Sequence, residues 1–282
     1  MKKILALMLA MMMLVCCFAS CAKDDNADNN NNAPVGGNAE ETTDASTTEA
    51  EDEDVLTTVV EGKLTMATNA YFPPYEFYEG DKIVGIDAEI AEKIAEKLGL
   101  ELEIKDMAFD SIITAVTEGS VDMGLAGMTV TDERLESVDF SISYASGVQA
   151  IIVKEGSAIT TVDDLYAEGA SYKVGVQLGT TGDIYCVDDF GADRVTQYTT
   201  GNEAVSALIG GAVDCVIIDN EPAKAFVAAN EGLVILETSY ADEDYAACIA
   251  KENDALLKAI DEAIYELTAD GTIEAIIAKY IK

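Results

Sequence analysis

Short apolar segments of strand type alternate with amphipathic helical segments along most of this chain, and this alternation restricts the folds it can adopt. Residues 63–68 and 213–219 are short and mostly apolar, which is typical of buried strands. In residues 87–98 apolar side chains recur every four positions, which predicts a helix that Gly99 ends. Because strands and helices that alternate in this way are typical of α/β proteins, the sequence predicts an α/β fold.

Further elements are expected from the same patterns. Asp110 and Thr131 are predicted to cap the starts of two helices, the first of which Gly119 ends. Further strands are expected at residues 121–127, 148–153, 173–177, 195–198 and 246–250, and further helices near Ile184 and at residues 203–209, 254–267 and 273–280.

Two long connections are interpreted as crossings between two lobes. The apolar strand after Gly147 is predicted to leave the first lobe, and the chain is expected to return near Tyr240. Lobe 1 is then residues 57–147 plus 239–282, and lobe 2 is residues 148–238. Two α/β lobes joined by two crossings place a central ligand cleft between them, where strand ends and loops face each other.

The first 21 residues have the features of a secretory signal peptide. Lys2 and Lys3 precede a short apolar run over residues 4–18, and small residues lead into Cys21. A cysteine at this point resembles a lipobox, so Cys21 is the expected lipidation site; the alternative is an ordinary signal peptide that contains cysteines. Residues 22–56 are polar and acidic, with almost nothing to bury, and are predicted to form a disordered acidic linker.

The charge and residue content argue against several classes of function. The chain has 53 acidic and 17 basic residues, a formal net charge of −36, and no histidine. The negative balance argues against nucleic acid and anionic lipid as partners, and the missing histidines remove the commonest general base. Cys186, Cys215 and Cys248 show neither metal spacing nor an obvious disulfide pairing and are expected to be isolated core thiols. No catalytic residue, metal or cofactor is predicted.

Arginine is rare in this chain and occurs only at positions 134 and 194. Arg134 directly follows a predicted strand and stands at the start of a predicted helix. A guanidinium group presents a planar fork that matches a carboxylate, and neighbouring threonine hydroxyls and backbone N–H groups can complete the grip. The alternative is a surface arginine paired to Asp132 or Glu136.

Six short motifs follow one another, in a fixed order, between residues 62 and 280. They are ATNAYFPPYEF at residues 67–77, GID at 85–87, FDSII at 109–113, AGMTVTDER with VDFS at 126–141, VGVQLGTTG at 174–182 and VDCVIID at 213–219. Together they resemble the periplasmic amino-acid-binding proteins, bacterial solute-binding protein family 3. The resemblance implies a two-lobed periplasmic-binding-protein-like fold with a ligand cleft between the lobes.

The resemblance also implies a clamp for a zwitterionic ligand. Arg134 would hold the α-carboxylate, helped by Thr129 and by Thr181 from the facing lobe. Gly127 would offer backbone groups, and Asp219 would bind the α-ammonium group. The alternatives are a simple tight turn with a threonine cap around position 181, and a helix cap for the aspartate at position 219.

The remaining implied contacts concern the ligand's side chain. Phe72 and Phe109 would sandwich it, although both could equally be core aromatics. Gln177 and Asn69 match positions near its far end, where Asn69 could also be a simple turn residue. The amide at Asn69 favours a polar, uncharged amino acid, and Glu76 could still serve a basic one.

The expected function is therefore extracytoplasmic capture of a polar amino acid by lobe closure and its delivery to an ABC importer. The expected partners are a free L-amino acid, the permease subunits and the membrane, which the chain reaches through its lipid anchor on the outer face of the cell membrane. A monomer is expected, because capture requires free movement of the lobes. The alternatives are an enzyme on the same fold, such as a cyclohexadienyl-type dehydratase, and a ligand sensor domain.

Overall fold

A computed structural model describes residues 56–281, and the chain alternates there between strands and helices, which confirms the α/β prediction. Strands β1 and β5 run parallel in the first large sheet, which is completed by strands from distant parts of the chain. In spatial order its strands are β5 (Glu101–Asp106), β1 (Lys63–Thr68), β6 (Met123–Gly124), β14 (Cys248–Ala250) and β7 (Val138–Phe140).

The second large sheet is built from the middle of the chain. Its central strands are buried along most of their length, which is typical of a sheet covered by helices on both faces. In spatial order its strands are β10 (Val195–Tyr198), β9 (Val174–Gln177), β11 (Cys215–Asp219), β8 (Ala145–Lys154) and β12 (Leu233–Ile235), and β13 (Ala241–Tyr245) also pairs with β8.

A small third sheet follows β1. It is an antiparallel arrangement of β2 (Tyr71–Phe72), β3 (Glu76–Glu79) and β4 (Lys82–Val84). Its register places Phe72 directly opposite Glu76, so an aromatic ring and a carboxyl group lie side by side at this point. The hairpin thus presents both residues to the same region of the protein.

Helices cover the large sheets, and the two C-terminal helices pack on α1. The helices are α1 (Ile86–Leu98), α2 (Ile112–Thr117), α3 (Asp132–Leu135), α4 (Asp163–Tyr166), α5 (Thr181–Phe190), α6 (Gly201–Gly210), α7 (Asn220–Ala229), α8 (Asp254–Ala269) and α9 (Thr272–Tyr280).

Two antiparallel strands carry the chain between the large sheets. Strand β8 follows β7 of the first sheet, and β13 precedes β14 of the first sheet; the two pair with each other, Glu243 opposite Gly147. A side chain at Gly147 would collide with the hydroxyl of Tyr245, so only glycine fits there. The sequence indicates a crossing near residue 148 and a return near Tyr240, but it does not indicate that the return begins with a strand, β13. The residue boundaries of the two lobes stay a prediction.

Several local predictions are confirmed and two are wrong. Gly99 ends α1 in the left-handed conformation, and the Thr131 hydroxyl caps α3 by accepting a hydrogen bond from the backbone N–H of Arg134. Asp110 does not cap a helix, because it lies inside a 3-10 turn whose start has no side-chain cap. The strand expected over residues 121–127 shrinks to Met123–Gly124, since the chain turns away into a loop.

The three predicted thiols are confirmed as free and buried: Cys186, Cys215 and Cys248. The signal peptide, the lipidation site Cys21 and all but the last residue of the predicted linker 22–56 lie outside the described residues. Between residues 56 and 281, no helix is both long and apolar enough to cross a bilayer.

Candidate ligand-binding site

A single cavity gathers all nine residues that the sequence indicates as ligand-binding. The space between these residues, counted together with the solvent at its mouth, is about 310 Å³. Strand ends and loops of both large sheets form its walls, as expected for ligand sites of α/β proteins. The lining residues are Asn69, Phe72, Phe109, Gly127, Thr129, Arg134, Gln177, Thr181 and Asp219, together with Glu76, Ala126 and Thr180.

Arg134 is buried at the cavity wall, with 6% of its surface exposed. Its Nη1 donates to the backbone oxygen of Thr129 at 2.6 Å, and its Nη2 donates to that of Gly179 at 3.0 Å. The guanidinium carbon lies 5.4 Å from the centre of the Phe109 ring. Within residues 56–281 Arg134 makes no salt bridge, so the alternative of a surface pair with Asp132 or Glu136 is wrong. A buried cation held only by neutral groups favours an anionic ligand.

Two adjacent threonines at the start of α5, Thr180 and Thr181, have different roles. The Thr180 hydroxyl caps the helix by accepting from the backbone N–H of Asp183 at 3.3 Å. Thr181 is therefore not needed as the cap, and its buried side chain lines the cavity. The tight turn with a threonine cap and the cavity-lining threonine thus exist side by side. Free backbone N–H groups at a helix start also favour an anion.

Asp219 ends β11 and is 6% exposed. It does not cap α7 with its side chain, so that alternative is wrong. Its carboxylate instead accepts hydrogen bonds from the hydroxyl of Tyr245 and from Nε2 of Gln149, the latter at 2.8 Å. Burial raises the pKa of Asp219 to about 7, because the charged form is poorly solvated. A cation in the cavity would stabilise the charged form.

Gly127 occupies a position where a side chain is excluded. Its φ is +53°, and a Cβ there would lie 2.9 Å from the Phe72 ring. Its N–H donates to Oδ2 of Asp87 at 2.7 Å, and the hydroxyl of Tyr144 donates to the same oxygen at 2.8 Å. Because its N–H is already engaged, Gly127 can offer a ligand only its carbonyl oxygen. The resemblance implies more than this, namely backbone groups for both ends of the zwitterion.

Phe72 and Phe109 are both core and cavity residues. Each belongs to a buried apolar cluster, and each also lines the cavity. Phe72 stacks on Tyr75 with 5.8 Å between the ring centres, which fixes the orientation of its face. The two interpretations of these aromatics are therefore compatible.

Two amide side chains join the large sheets at another wall of the cavity. Gln177 Nε2 donates to Oδ1 of Asn69 at 2.9 Å and also to the backbone oxygen of Thr199 at 3.2 Å. Asn69 Nδ2 in turn donates to the backbone oxygen of Met107 at 2.8 Å. Asn69 is thus more than a turn residue, because its side chain bonds across the cavity to Gln177.

Glu76 is the cavity residue that the sequence analysis undervalued. It is completely buried, and neither carboxyl oxygen has a hydrogen-bond donor among the described residues. The charged groups around it are all carboxyls, with Asp87 first and then Asp219 and Asp106. Burial, followed by the charge of Asp87, raises its pKa well above the usual range. The hairpin register puts Glu76 opposite Phe72, but its lack of a donor becomes visible only once distant parts of the chain are in place.

Comparison with known proteins identifies the family. Residues 64–282 match the sequence model of the bacterial extracellular solute-binding proteins, family 3. The chain belongs to this family. Three similar proteins illustrate it: the arginine-binding extracellular protein ArtP of Bacillus subtilis (strain 168), the L-cystine-binding protein TcyJ of Escherichia coli (strain K12) and a solved ancestral arginine-binding protein bound to glutamine.

The similarity of this solute-binding protein to those three extends over most of each chain. The chain is 33% identical to ArtP over 227 residues, which cover 77% of this chain and 86% of ArtP. It is 31% identical to TcyJ over 235 residues, covering 81% of this chain and 86% of TcyJ. The ancestral protein is 38% identical, with a TM-score of 0.74 and coverage of 79% and 99%.

The solute-binding protein therefore has the two-lobed α/β fold of its family, with the ligand cleft between the lobes. The relatives named above are binding proteins for amino acids, and the family is extracellular. Within the described part of the chain, no group of three acidic or cysteine side chains is arranged to hold a metal ion.

Proposed function

We propose that this solute-binding protein captures a free L-amino acid in the cavity and delivers it to the membrane subunits of an ABC importer. One observation carries the proposal: a buried guanidinium, which makes no salt bridge within residues 56–281, and a buried carboxylate line the same cavity. An α-amino acid supplies the two complementary charges on two groups bonded to the same carbon atom. The relatives that bind arginine, cystine and glutamine support the same class of ligand.

The two charges give selectivity for the amino-acid backbone. The α-carboxylate would meet Arg134 and the hydroxyls of Thr129 and Thr181. The α-ammonium group would meet Asp219 and the carbonyl oxygen of Gly127. A ligand that lacks either charge leaves a buried ionic group unpaired, and such a group costs several kcal/mol of binding free energy (roughly 2–5).

The side chain of the ligand is proposed to be polar and, in the first instance, cationic. Glu76 is buried without a donor, and an unpaired buried carboxylate is unfavourable unless it is protonated or meets a cation. The side-chain amides of Asn69 and Gln177 are hydrogen-bonded to each other, so they can offer the ligand hydrogen-bonding groups but no charge. L-arginine is therefore the first candidate, and L-glutamine, a neutral side chain of similar length, is the comparison.

Capture is proposed to work by closure of lobe 1, residues 57–147 plus 239–282, onto lobe 2, residues 148–238. Two hydrogen bonds between the sheets, from Gln177 to Asn69 and from Arg134 to Gly179, are the contacts that closure would form. We propose further that the protein acts as a monomer, that residues 1–21 are a signal peptide ending at a lipidated Cys21, and that residues 22–56 tether the binding lobes to the outer face of the cell membrane.

A thermal-shift screen against the common L-amino acids tests the proposal. Ligands that bind only the folded state raise the melting temperature, so one or a few amino acids are expected to stabilise the protein. Arg134→Ala is expected to lose the response, whereas Arg194→Ala keeps it, because Arg194 bonds the backbone oxygens of Tyr172 and Leu165 instead. If no amino acid stabilises the unaltered protein, the assignment is wrong, and dicarboxylates, amines and prephenate-like acids become the candidates.

A further inference from the structure

Glu243 is a buried carboxylate that the zwitterion clamp does not use. It stands at the middle of β13, where Asp242 and Asp244 on either side are exposed and Glu243 itself is only 3% exposed. Neither of its carboxyl oxygens has a hydrogen-bond partner of ordinary geometry among the described residues. An unpartnered carboxylate in such a place is costly unless the group has a task.

The surroundings of Glu243 are those of the proposed carboxylate grip. Thr129 pairs with Tyr245, two residues further along β13, and Gln149, two residues from Gly147 on β8, donates to the hydroxyl of Thr181 at 3.4 Å. Because alternate residues of a strand share a face, both hydroxyls lie on the side of β13 that carries Glu243. Strand β8, directly opposite, presents only Gly147. The charged and titratable groups that face it are Arg134 on α3, Asp219 at the end of β11, Tyr185 on α5, and Asp244 and Tyr245 on its own strand.

A threonine hydroxyl has a single proton to donate. If Thr129 and Thr181 donate to an ionised Glu243, they cannot at the same moment donate to the α-carboxylate of a ligand. If Glu243 is neutral, both hydroxyls are free to turn toward the ligand. The state of Glu243 therefore decides whether the two threonines are available to the ligand.

The charges lead to the same result. A ligand bound in the clamp brings its ammonium group to Asp219 and its carboxylate to Arg134. An ionised Glu243 would then be a surplus anion next to that carboxylate. Two carboxylates that share one site do not both stay ionised, because each disfavours the charge of the other.

We propose that Glu243 is a positioning residue of the carboxylate grip: it is ionised and engages the hydroxyls of Thr129 and Thr181 until an amino acid binds, and it then takes up one proton from solvent, which releases both hydroxyls to the ligand. The inference rests on the proposed function. Burial already raises the pKa of Glu243, while the two hydroxyls and the charge of Arg134 lower it. A ligand carboxylate would add to the upward shift.

Isothermal titration calorimetry with L-arginine measures the proton count. Binding heats are compared in two buffers of different ionisation enthalpy from about pH 5 to 8, because proton uptake couples binding to the buffer. On binding L-arginine, Glu243→Gln should take up fewer protons than the unaltered protein, with a difference of at most about one. Its affinity for L-arginine should also fall less steeply as the pH rises. Asp242→Asn, which removes an exposed carboxylate from the same strand, should match the unaltered protein.

An equal proton count in Glu243→Gln and the unaltered protein would overturn the inference while leaving amino-acid binding intact. If neither L-arginine nor L-glutamine binds the unaltered protein and the screen finds no other amino acid, the proposed function is wrong, and this inference is wrong with it. Should Glu243→Gln fail to fold, carbon-13 NMR of the Glu243 carboxyl in the unaltered protein gives the answer. A pKa that does not rise on addition of ligand would contradict the proposal.

Discussion

The two ends of the cavity are built on different principles. At the backbone end (Thr129, Arg134, Thr181 and Asp219), Arg134 donates to two backbone oxygens, and Asp219 accepts from the side chains of Tyr245 and Gln149. At the side-chain end (Asn69, Glu76 and Gln177), two amides satisfy each other and one carboxylate has no donor. The two charged groups of the backbone end are thus held in place by the protein itself, whereas the side-chain end offers a carboxylate that has no donor among the described residues. The first should bind every α-amino acid, and the second should choose among them.

The largest expected effect is at the backbone end. Asp219→Asn should weaken all α-amino acids by a similar factor, because it removes the partner of the ammonium group that they share. The loss should be about 2–5 kcal/mol of binding free energy, measured by calorimetry. A ligand without the α-amino group is the control, because its affinities for the variant and for the unaltered protein should be nearly equal. An effect confined to one amino acid would contradict the division between the two ends.

Glu76→Gln should act selectively at the side-chain end. Loss of the carboxylate should cost L-arginine about 1.5–3 kcal/mol, the range for a hydrogen bond to a charged group. L-glutamine should be affected little or bind more tightly, since it gains nothing from a negative charge. The ratio of the two dissociation constants is the measurement. An equal loss for both ligands would mean that Glu76 supports the cavity and does not select the ligand.

The empty protein should lose stability as the pH rises. The pKa of Asp219 is raised to about 7 and that of Asp87 to about 6, both above the unfolded value of 3.8, chiefly by burial. The folded state therefore holds more protons between these values, so the free energy of unfolding falls as the pH rises from about 4 to 7, by at most about 1.4 kcal/mol per pH unit for each group.

Denaturant unfolding of the empty protein across that pH range checks the sign. Asp219→Asn carries no charge at that position and should show a shallower decline than the unaltered protein. Saturating amino acid should also flatten the decline, because its ammonium group stabilises the ionised carboxylate. Parallel curves for the variant and the unaltered protein would show that Asp219 ionises in the empty cavity without cost.

The smallest effect is expected at the amide pair. Asn69→Ala removes the hydrogen bond to Gln177 across the cavity, and a neutral hydrogen bond contributes about 1 kcal/mol. Affinity should fall by up to roughly tenfold for arginine and glutamine alike, as calorimetry would show. Gln177→Ala should give a similar loss, and the double variant should lose little more, because both changes break the same bond. Additive losses would mean that each amide contacts the ligand separately.

Much of the fold was predictable where the signal is local. Strands Lys63–Thr68 and Val195–Tyr198 begin and end at the predicted residues, and Thr131 caps the helix that carries Arg134, as expected. Strand Ala241–Tyr245 was not predictable, since its sequence ADEDY has three acidic residues in a row and a single strand former, Tyr245. Pairing with β8 holds it, and such long-range pairing leaves no mark in a local pattern.

In the site, too, local signals were predictable from the sequence and long-range contacts were not. The nine residues that the motifs indicate do meet in one cavity, because short motifs preserve the ends of strands and the starts of helices. The motifs give Glu76 only a secondary place and do not indicate Glu243. Their importance comes from what they lack, namely a hydrogen-bond donor, and this can be seen only when the neighbours from distant parts of the chain are in place.

Tyr245 connects the crossing strands to the ligand chemistry. Its hydroxyl bonds the carboxylate of Asp219 and fills the space above Gly147, so neither position can change without the other. Descendants of this protein could therefore acquire new substrates through substitutions at Asn69, Glu76 and Gln177. Substitutions in the crossing strands, in contrast, would weaken the binding of every amino acid. We expect evolution to explore one end of this cavity freely and to hold the other nearly still.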